Sequence, residues 1–536
     1  MAVLRTENES GCAKGNQAMT FAKPFLTAKR SLLIRFLLVI LFSLGWAPNS
    51  LLAQNATEDE ALIQRIDAYL REELAASGLP GLSLGLVKGE KTLFLKGYGV
   101  ADPGGRPMTA QTPMILGSTS KSFTAVAVMQ LVEKGQLELE TPITKYVPEL
   151  VFDHPEWGKN ITVRHLLHQT SGLTEAQGRS DLALTEDLTM RERVDKYGGL
   201  ILHSAPGEAF EYSNINYTLL GLLVESVTGK SLNQYIYEHI FAPLNMSSSF
   251  TSYEEAKERG IATGYRTWFG RPIPTEQPYL SNDVATGYVI STAEDMTKYV
   301  SAHIQAGGTA ALLSEKGFAA LFEPGLRQSP EVGYGMGWYI NMSSGSKWHH
   351  GDLAHFHSAM IIVNEEQPWG VVLMANANSS LSLTPMLYKL SSNIADMIKG
   401  RPIERAAEDL KGTQQVMNVV LAFFLLASLS QFWFDSVSRR KQKRRFYRIL
   451  GPIIPKVLLL LAIFMLLPEM AGAPFAVIML YQPDIGYVMS AIALITVLAA
   501  VLHLAASYRK TTDFLQRDGK TKAAAFNIDR LRIERK

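Results

Sequence analysis

A serine and a lysine three positions apart are the first residues in this sequence whose types and spacing suggest catalysis. Ser118 and Lys121 come just before the apolar stretch 123–132, which predicts a helix. Residues three apart on a helix share one face. A serine hydroxyl becomes a strong nucleophile when a base takes its proton, and a buried lysine with a lowered pKa can be that base or can orient it. Taken alone, the spacing is common, and a capping serine beside a solvated lysine is the simpler explanation.

A phenol and a carboxamide follow about ninety residues later. Tyr212 and Asn214 lie in a polar segment, 206–217, that precedes the apolar helix predicted over 219–224. The phenol could serve as a general base, and the carboxamide could hold a substrate amide. The alternative is a tyrosine packed under a loop, with the asparagine as a turn former.

A third element precedes the last predicted strand pair. His349 and Gly351 are followed by Asp352. A glycine on an inward-facing strand lets a substrate backbone approach closely, and the histidine would line the same cleft. A metal site is the alternative, because four histidines crowd this region: His349, His350, His355 and His357. Neighbouring histidines on a strand point to opposite faces, and no His-Glu-x-x-His spacing occurs, so we predict no metal.

The elements that must position these residues predict one α+β domain over 55–400. Strands are expected at 82–87 and 93–98, joined by a turn at 88–91, and again at 359–363 and 370–374. A closing helix is expected over 381–399, and His165 and His168 are expected to pack in the helical middle of the chain. The pattern favours a sheet assembled from both chain ends, with a helical insertion between them.

In this order, the three elements resemble the serine β-lactamase and penicillin-binding-protein superfamily. The resemblance is to the branch of class C β-lactamases, D-aminopeptidases and related carboxylesterases, and it covers roughly residues 60–395. The Lys-Thr-Gly position of that family reads here as His349-His350-Gly351. Segments 165–173, 243–246 and 287–296 agree as well. The resemblance implies a β-lactamase/transpeptidase-like domain, with an antiparallel sheet flanked by helices and a helical subdomain.

The resemblance also implies a mechanism. Ser118 would attack an acyl carbonyl and form an acyl-enzyme. Lys121 and Tyr212 would relay protons, with Tyr212 as the direct partner of the leaving group, and Asn214 would hold a substrate amide. The backbone N–H groups of Ser118 and Asp352 would form an oxyanion hole, each donor contributing roughly 3–4 kcal/mol. No metal or organic cofactor is needed.

This sequence departs from the family pattern at several positions. Asp352 and His355 stand where related sequences often carry glycine, which predicts a bulky charged rim at the cleft mouth. His349 replaces a lysine and removes a permanent positive charge, which weakens the case for a substrate carboxylate. Ile115 stands where an acidic residue is associated with a peptidase that trims acylated prodrug metabolites, so that activity remains an alternative only.

The two ends of the chain indicate export and membrane insertion. Residues 1–53 contain a basic segment and the apolar run 36–46, which is too short to span a bilayer comfortably, and we interpret them as a signal peptide or N-terminal anchor. After a linker at 401–415, three transmembrane helices are predicted over 416–508, at about 416–434, 449–470 and 485–507. Basic residues in the 436–448 loop and the 509–536 tail place both in the cytoplasm and the 55–400 domain outside it.

The composition agrees with this organisation. The 536 residues include 52 basic and 50 acidic side chains, a formal charge of +2, which excludes a global nucleic-acid footprint. Charged residues make up 19%, against about 25% in soluble domains, so part of the chain is expected in lipid. Cys12 is the only cysteine, which leaves no internal disulfide.

The sequence therefore predicts a membrane-anchored extracytoplasmic serine hydrolase that acts on peptide-like amides, including those with D-residues. The expected partners are a small peptide or ester substrate and the lipid bilayer. The alternatives are a carboxylesterase, a penicillin-binding or sensor protein that is acylated without turnover, and a prodrug-type metabolite peptidase.

Overall fold

An eight-stranded antiparallel sheet lies at the centre of the fold. The computed structural model describes residues 58–180, 182, 186, 188–276, 279–306, 312–437, 451–470 and 472–533. The predicted signal peptide or anchor over 1–53 and the basic residues of the 436–448 loop from 438 onwards lie outside the described residues.

Most of the described strands lie near the two ends of the 55–400 domain, where short turns join them. They are β1 Gly81–Lys88, β2 Lys91–Gly99, β3 Met114–Ile115, β4 Gly264–Trp268, β5 Arg271–Thr275, β6 Ile290–Ser291, β7 Arg327–Ser329, β8 Val332–Tyr334, β9 Tyr339–Asn341, β10 Lys347–Asp352, β11 His357–Val363, β12 Trp369–Ala375 and β13 Ala377–Asn378.

Helices fill the middle of the chain and dominate its C-terminal part. They are α1 Glu58–Ser77, α2 Ser120–Glu133, α3 Pro155–Gly158, α4 Val163–Leu167, α5 Glu175–Ser180, α6 Met190–Lys196, α7 Asn214–Thr228, α8 Leu232–Ile236, α9 Tyr253–Glu258, α10 Ala293–Ile304, α11 Glu315–Phe322, α12 Leu383–Ile398, α13 Glu408–Val437, α14 Ile453–Leu461, α15 Leu467–Met470, α16 Phe475–Tyr481 and α17 Pro483–Ile533.

The main sheet joins the two ends of the domain, as predicted. Its strand order is β2-β1-β12-β11-β10-β9-β8-β7. β1 pairs with β12, with Leu82 opposite Ala375, and β10 lies between β11 and β9. The predicted α+β class and the sheet built from both ends are therefore confirmed.

Both faces of the central strands are buried. On β11, Ala359 and Ile361 pack in one core with helices α1 and α12, whereas Met360 and Ile362 pack in the other core with the helical middle of the chain. This alternation follows from the two-residue period of a strand. Because helices cover both faces, β1, β11 and β12 are buried along almost their whole length.

Helix α2 is the central helix of the second core. Every residue from Ser120 to Leu131 is buried, including the polar side chains of the first turn. A helix that is buried all round has no solvent face, so its side chains are held by packing on every side.

Three C-terminal helices of the described chain are long and apolar enough to cross a membrane. They cover Leu410–Trp433, Ile453–Met470 and Pro483–Ala505. The first of these helices begins at Glu408, inside the segment expected to be a linker. The last helix continues to Ile533, through the expected tail. Its polar segment 509–533 is rich in Lys, Arg and Ala, which favour helix and extend it beyond the apolar residues.

Candidate active site

The serine and the lysine of the first motif are joined by a hydrogen bond. Ser118 lies in a single 3₁₀ turn, Gly117–Thr119, which runs directly into α2. This continuity places Ser118 and Lys121 on one face, and Lys121 Nζ lies 3.1 Å from Ser118 Oγ. The serine is half-buried, whereas the lysine is fully buried.

Two further acceptors surround the lysine amine. Lys121 Nζ donates to Asn214 Oδ1 at 2.9 Å and to the carbonyl oxygen of Thr286 at 2.8 Å. Asn214 is the first residue of α7, so the start of that helix presents its amide to the lysine. Burial lowers the pKa of Lys121 to about 7, and the negative charge of Asp283 opposes this shift. A substantial fraction of the amine is therefore neutral at pH 7.

Tyr212 completes the predicted catalytic group. Lys121 Nζ lies 5.2 Å from the centroid of the Tyr212 ring. Burial raises the pKa of the Tyr212 phenol well above its ordinary value, and Tyr339 adds to this effect. The hydroxyl oxygen is buried and has no hydrogen-bond partner among the described residues, although it interacts with Ser118. The phenol thus keeps its proton at neutral pH.

Two glycines let strand β10 pass directly against the serine. A Cβ on Gly351 would lie 1.9 Å from the carbonyl oxygen of Leu116 and 2.8 Å from the backbone nitrogen of Ser118. A Cβ on Gly117, whose φ is +61°, would lie 2.7 Å from the backbone nitrogen of Asp352. The two backbone N–H groups expected to form an oxyanion hole are therefore brought together, and only glycine permits this approach.

His349 faces the aromatic side of the cavity. Its Nδ1 contacts the carbonyl oxygen of His350 at 2.7 Å, and its Nε2 lies 3.4 Å from the Tyr334 hydroxyl. Burial, helped by the nearby charge of Lys121, lowers the pKa of His349 to about 3. The imidazole is therefore neutral at pH 7.

The Asp352 carboxylate is bound by three side chains and is not a free charge at the cleft mouth. It accepts hydrogen bonds from His357 Nδ1 at 2.9 Å, Asn378 Nδ2 at 2.9 Å and the Tyr388 hydroxyl at 2.5 Å. Burial works to raise the pKa of this carboxyl, but His357 and the hydrogen bonds lower it overall. The side chain remains 25% exposed.

The expectation that His355 forms part of a charged rim is wrong. This side chain is buried, and its ring lies where a Cβ on Gly264 would be only 2.2 Å from its Cδ2. It packs beside Phe356, with ring centroids 4.6 Å apart, and does not line the cavity. Burial lowers the pKa of His355 to about 3, so it adds no charge at pH 7. The loop after β10 turns it inward.

One cavity connects most of the predicted residues. Its volume is about 1190 Å³, and it is lined by Ser118, Tyr212, Asn214, His349 and Asp352. Lys121 and Gly351 do not line it but contact Ser118, which does. Among the described residues, no group of three or more His, Cys, Asp or Glu side chains could hold a metal ion.

The sequence motifs did not predict several residues of this site. Thr286, whose carbonyl oxygen contacts Lys121, comes just before the family segment at 287–296. That position could have indicated that Thr286 lies in the site. Tyr388, on α12, lies far from the motifs in sequence and reaches Asp352 only through the fold. Tyr334 and Tyr339 likewise have no motif of their own.

A serine, a lysine and a tyrosine around one cleft of this fold define a β-lactamase-type site. The beta-lactamase family model matches residues 66–390, and the chain belongs to that family. It is 27% identical to "Protein flp" of Staphylococcus aureus (strain MW2) over 364 residues, covering 68% of this chain and 72% of that protein. It is 30% identical to the putative penicillin-binding protein PbpX of Bacillus subtilis (strain 168) over 337 residues, covering 61% and 77%.

A solved structure shows the same fold. The D-amino acid amidase from Ochrobactrum anthropi SV3, complexed with L-phenylalanine amide, is similar at a TM-score of 0.55 and 26% identity. The match covers 63% of this chain and 99% of that structure. Together with the family match, it establishes a hydrolase of this fold, and the predicted superfamily is confirmed.

The buried lysine predicts a characteristic pH dependence. Only the neutral amine can accept the serine proton, and the Lys121 pKa is about 7. The rate of acylation by a chromogenic ester should therefore rise as the pH increases to about 7 and level off above it. Stopped-flow measurements of the full chain in detergent between pH 5 and pH 9 would record this midpoint.

Lys121→Arg provides the matched variant, because a guanidinium stays protonated throughout this range. It should lose about 10²–10⁴-fold in acylation rate above pH 7, and its rate should not show the rise towards pH 7. A rate that is flat from pH 5 to pH 9, or an arginine variant with full activity, would contradict a neutral lysine base.

Proposed function

We propose that this protein is a membrane-anchored extracytoplasmic serine hydrolase that cleaves amides through an acyl-enzyme. The observation that carries the proposal is the set of contacts around Lys121. Asn214 Oδ1 and the Thr286 carbonyl can only accept hydrogen bonds, so they take the two hydrogens of a neutral amine. The lone pair then faces Ser118 Oγ, 3.1 Å away. This is the arrangement of a base beside its nucleophile.

Acylation begins at the serine. Ser118 Oγ attacks the substrate carbonyl carbon while its proton passes to Lys121 Nζ. The negative charge that develops on the carbonyl oxygen is stabilised by the backbone N–H groups of Ser118 and Asp352, roughly 3–4 kcal/mol per donor. The close approach of Gly117 and Gly351 supports this pairing.

The leaving group receives its proton from Tyr212. The phenol is protonated at neutral pH and its hydroxyl lies beside Ser118, so it is suited to donate. As the C–N bond breaks, Tyr212 gives its proton to the departing nitrogen and takes one back from Lys121. The serine proton is thereby transferred to the amine product. Water then hydrolyses the ester of Ser118.

The substrate class we propose is a peptide-like amide, including amides of D-residues. Asn214 holds the lysine through its oxygen and donates one Nδ2 hydrogen to the Gly178 carbonyl oxygen at 3.4 Å, which leaves the other Nδ2 hydrogen for a substrate carbonyl. His349 is neutral at pH 7, so this position offers no charge for a substrate carboxylate. The similarity to a D-amino acid amidase supports the same class.

A second candidate is a penicillin-binding or sensor protein that is acylated but not turned over. The relative named as a putative penicillin-binding protein favours this reading. The same serine and lysine would react, and only deacylation would differ. A carboxylesterase and a prodrug-type metabolite peptidase would use the same acylation chemistry on other substrates.

Replacing the nucleophile tests the proposal directly. Ser118→Ala should abolish turnover of D-phenylalanine amide and p-nitrophenyl acetate, and also labelling by a fluorescent penicillin, because each requires the Oγ atom. Wild-type turnover of the amide supports a hydrolase, whereas stable penicillin labelling without turnover supports the second candidate. Activity that survives in Ser118→Ala would refute both.

Removing the Tyr212 hydroxyl should lower the turnover of an amide much more than that of an activated ester. An amide nitrogen must be protonated to leave, whereas p-nitrophenolate leaves without a proton. Tyr212→Phe should therefore lower kcat/KM for D-phenylalanine amide by about 10²–10⁴-fold and affect p-nitrophenyl acetate much less. Equal losses with both substrates would show that Tyr212 does not serve the leaving group.

We further propose that the domain lies outside the cytoplasm. Support comes from the three apolar helices and from the basic residues of the 436–448 loop. In a Cys12→Ala background, Ser343→Cys, an exposed position of the domain, should react with a membrane-impermeant maleimide on intact cells. Lys441→Cys should react only after permeabilisation. The reverse pattern would overturn this orientation.

A further inference from the structure

One wall of the active-site cavity is formed by the segment that joins the second and third apolar helices. We call the described residues of this segment, 467–470 and 472–485, the hairpin wall. Met470, Val477, Ile478 and Ile485 of the hairpin wall line the same cavity as Ser118. The cleft is therefore polar and catalytic on the side of the hydrolase domain and largely apolar on the other side.

The hairpin wall is attached to the hydrolase domain by polar contacts. The Tyr481 hydroxyl donates to the carbonyl oxygen of Asp352 at 3.3 Å. The backbone nitrogen of Phe269 donates to Asp484 Oδ2 at 3.2 Å. Gln482 is buried and bonds to the loop before α12, where Ser379 Oγ lies 2.8 Å from its side-chain amide. These bonds place the apolar residues beside the serine.

The orientation of the substrate follows from the two ends of the site. Tyr212, which we assign to the leaving group, lies against Tyr334 and Tyr339, with ring centroids 6.2 and 6.4 Å away. Asp352, at the end of β10, contacts Tyr481 of the hairpin wall. The acyl part of a substrate extends away from the leaving group, and so towards the hairpin wall.

The apolar surface of the hairpin wall has a cost in water unless something covers it. Ile478, which lies between the two apolar helices, is only half-buried. A small polar substrate held at Ser118 would leave the apolar side chains of the hairpin wall uncovered in the cavity. A hydrocarbon chain in the cavity would remove them from water, which is favourable in proportion to the area buried.

We propose that the enzyme acts on an amphiphile whose acyl part carries an aliphatic chain, and that this chain packs against the hairpin wall. The inference rests on the proposed serine hydrolase activity and adds the substrate class. Because the hairpin wall joins two helices suited to span a membrane, it lies at the bilayer surface. Such a substrate can reach Ser118 without leaving the bilayer completely.

The test is the dependence of turnover on chain length. The full chain in a mild detergent is assayed with p-nitrophenyl esters of 2, 4, 8 and 10 acyl carbons, each below its aggregation concentration. kcat/KM should rise at least about tenfold from the 4-carbon to the 10-carbon ester, since each added methylene finds apolar contact. A wild-type enzyme with no preference for the longer chains would overturn the inference.

The double variant Ile478→Ala/Ile485→Ala tests whether the hairpin wall causes the preference for long acyl chains. It should lower the ratio of kcat/KM for the 10-carbon to the 2-carbon ester about fivefold or more, with most of the change in the 10-carbon rate. Leu458→Ala, on an exposed face of α14 outside the cavity, is the matched control and should leave the ratio unchanged.

The possible failures are distinguishable. Equal loss of the 2-carbon and 10-carbon rates in the double variant would mean that the hairpin wall only supports the fold of the site, and would overturn the inference. An unchanged ratio would overturn it as well. Ester turnover that survives in Ser118→Ala would instead refute the proposed hydrolase, whatever the chain-length profile.

Discussion

The proposed chemistry depends on one buried lysine that can lose its charge. Lys121 lies in a helix without a solvent face, and desolvation brings its pKa to about 7. Asn214 Oδ1, the Thr286 carbonyl oxygen and Ser118 Oγ each lie within hydrogen-bond distance of its amine. Burial in the core and activation of the nucleophile are thus consequences of the same packing.

The sequence predicts this part of the site well because its residues are close together or lie in recognisable segments. Ser118 and Lys121 share a helical turn, and their spacing alone places them on one face. The sheet built from both ends of the domain also follows from local signals, since each hairpin consists of two mainly apolar strands joined by its own turn. Such features are encoded within a few residues.

What the sequence could not predict depends on side chains brought together by the whole fold. The Asp352 carboxylate was expected as a free charge, but Tyr388 and Asn378 reach it from segments outside the motif. His355 was expected at the rim, yet the loop after β10 turns it towards Gly264. The contact of Tyr481 with the end of β10 joins the apolar helices to the cavity that holds Ser118. No local sequence pattern predicts this contact. Long-range contacts of this kind are set by tertiary packing.

The pairing of β1 with β12 has a consequence for how the protein matures. Leu82 and Ala375 are far apart in the sequence, so β1, which is synthesised early, has no neighbour on one side until almost the whole domain has followed. Such distant pairings slow folding, and unpaired apolar strands invite aggregation. Ser118 therefore cannot meet β10 until most of the domain has been synthesised. The proposed catalytic group is thus absent from the unfinished chain.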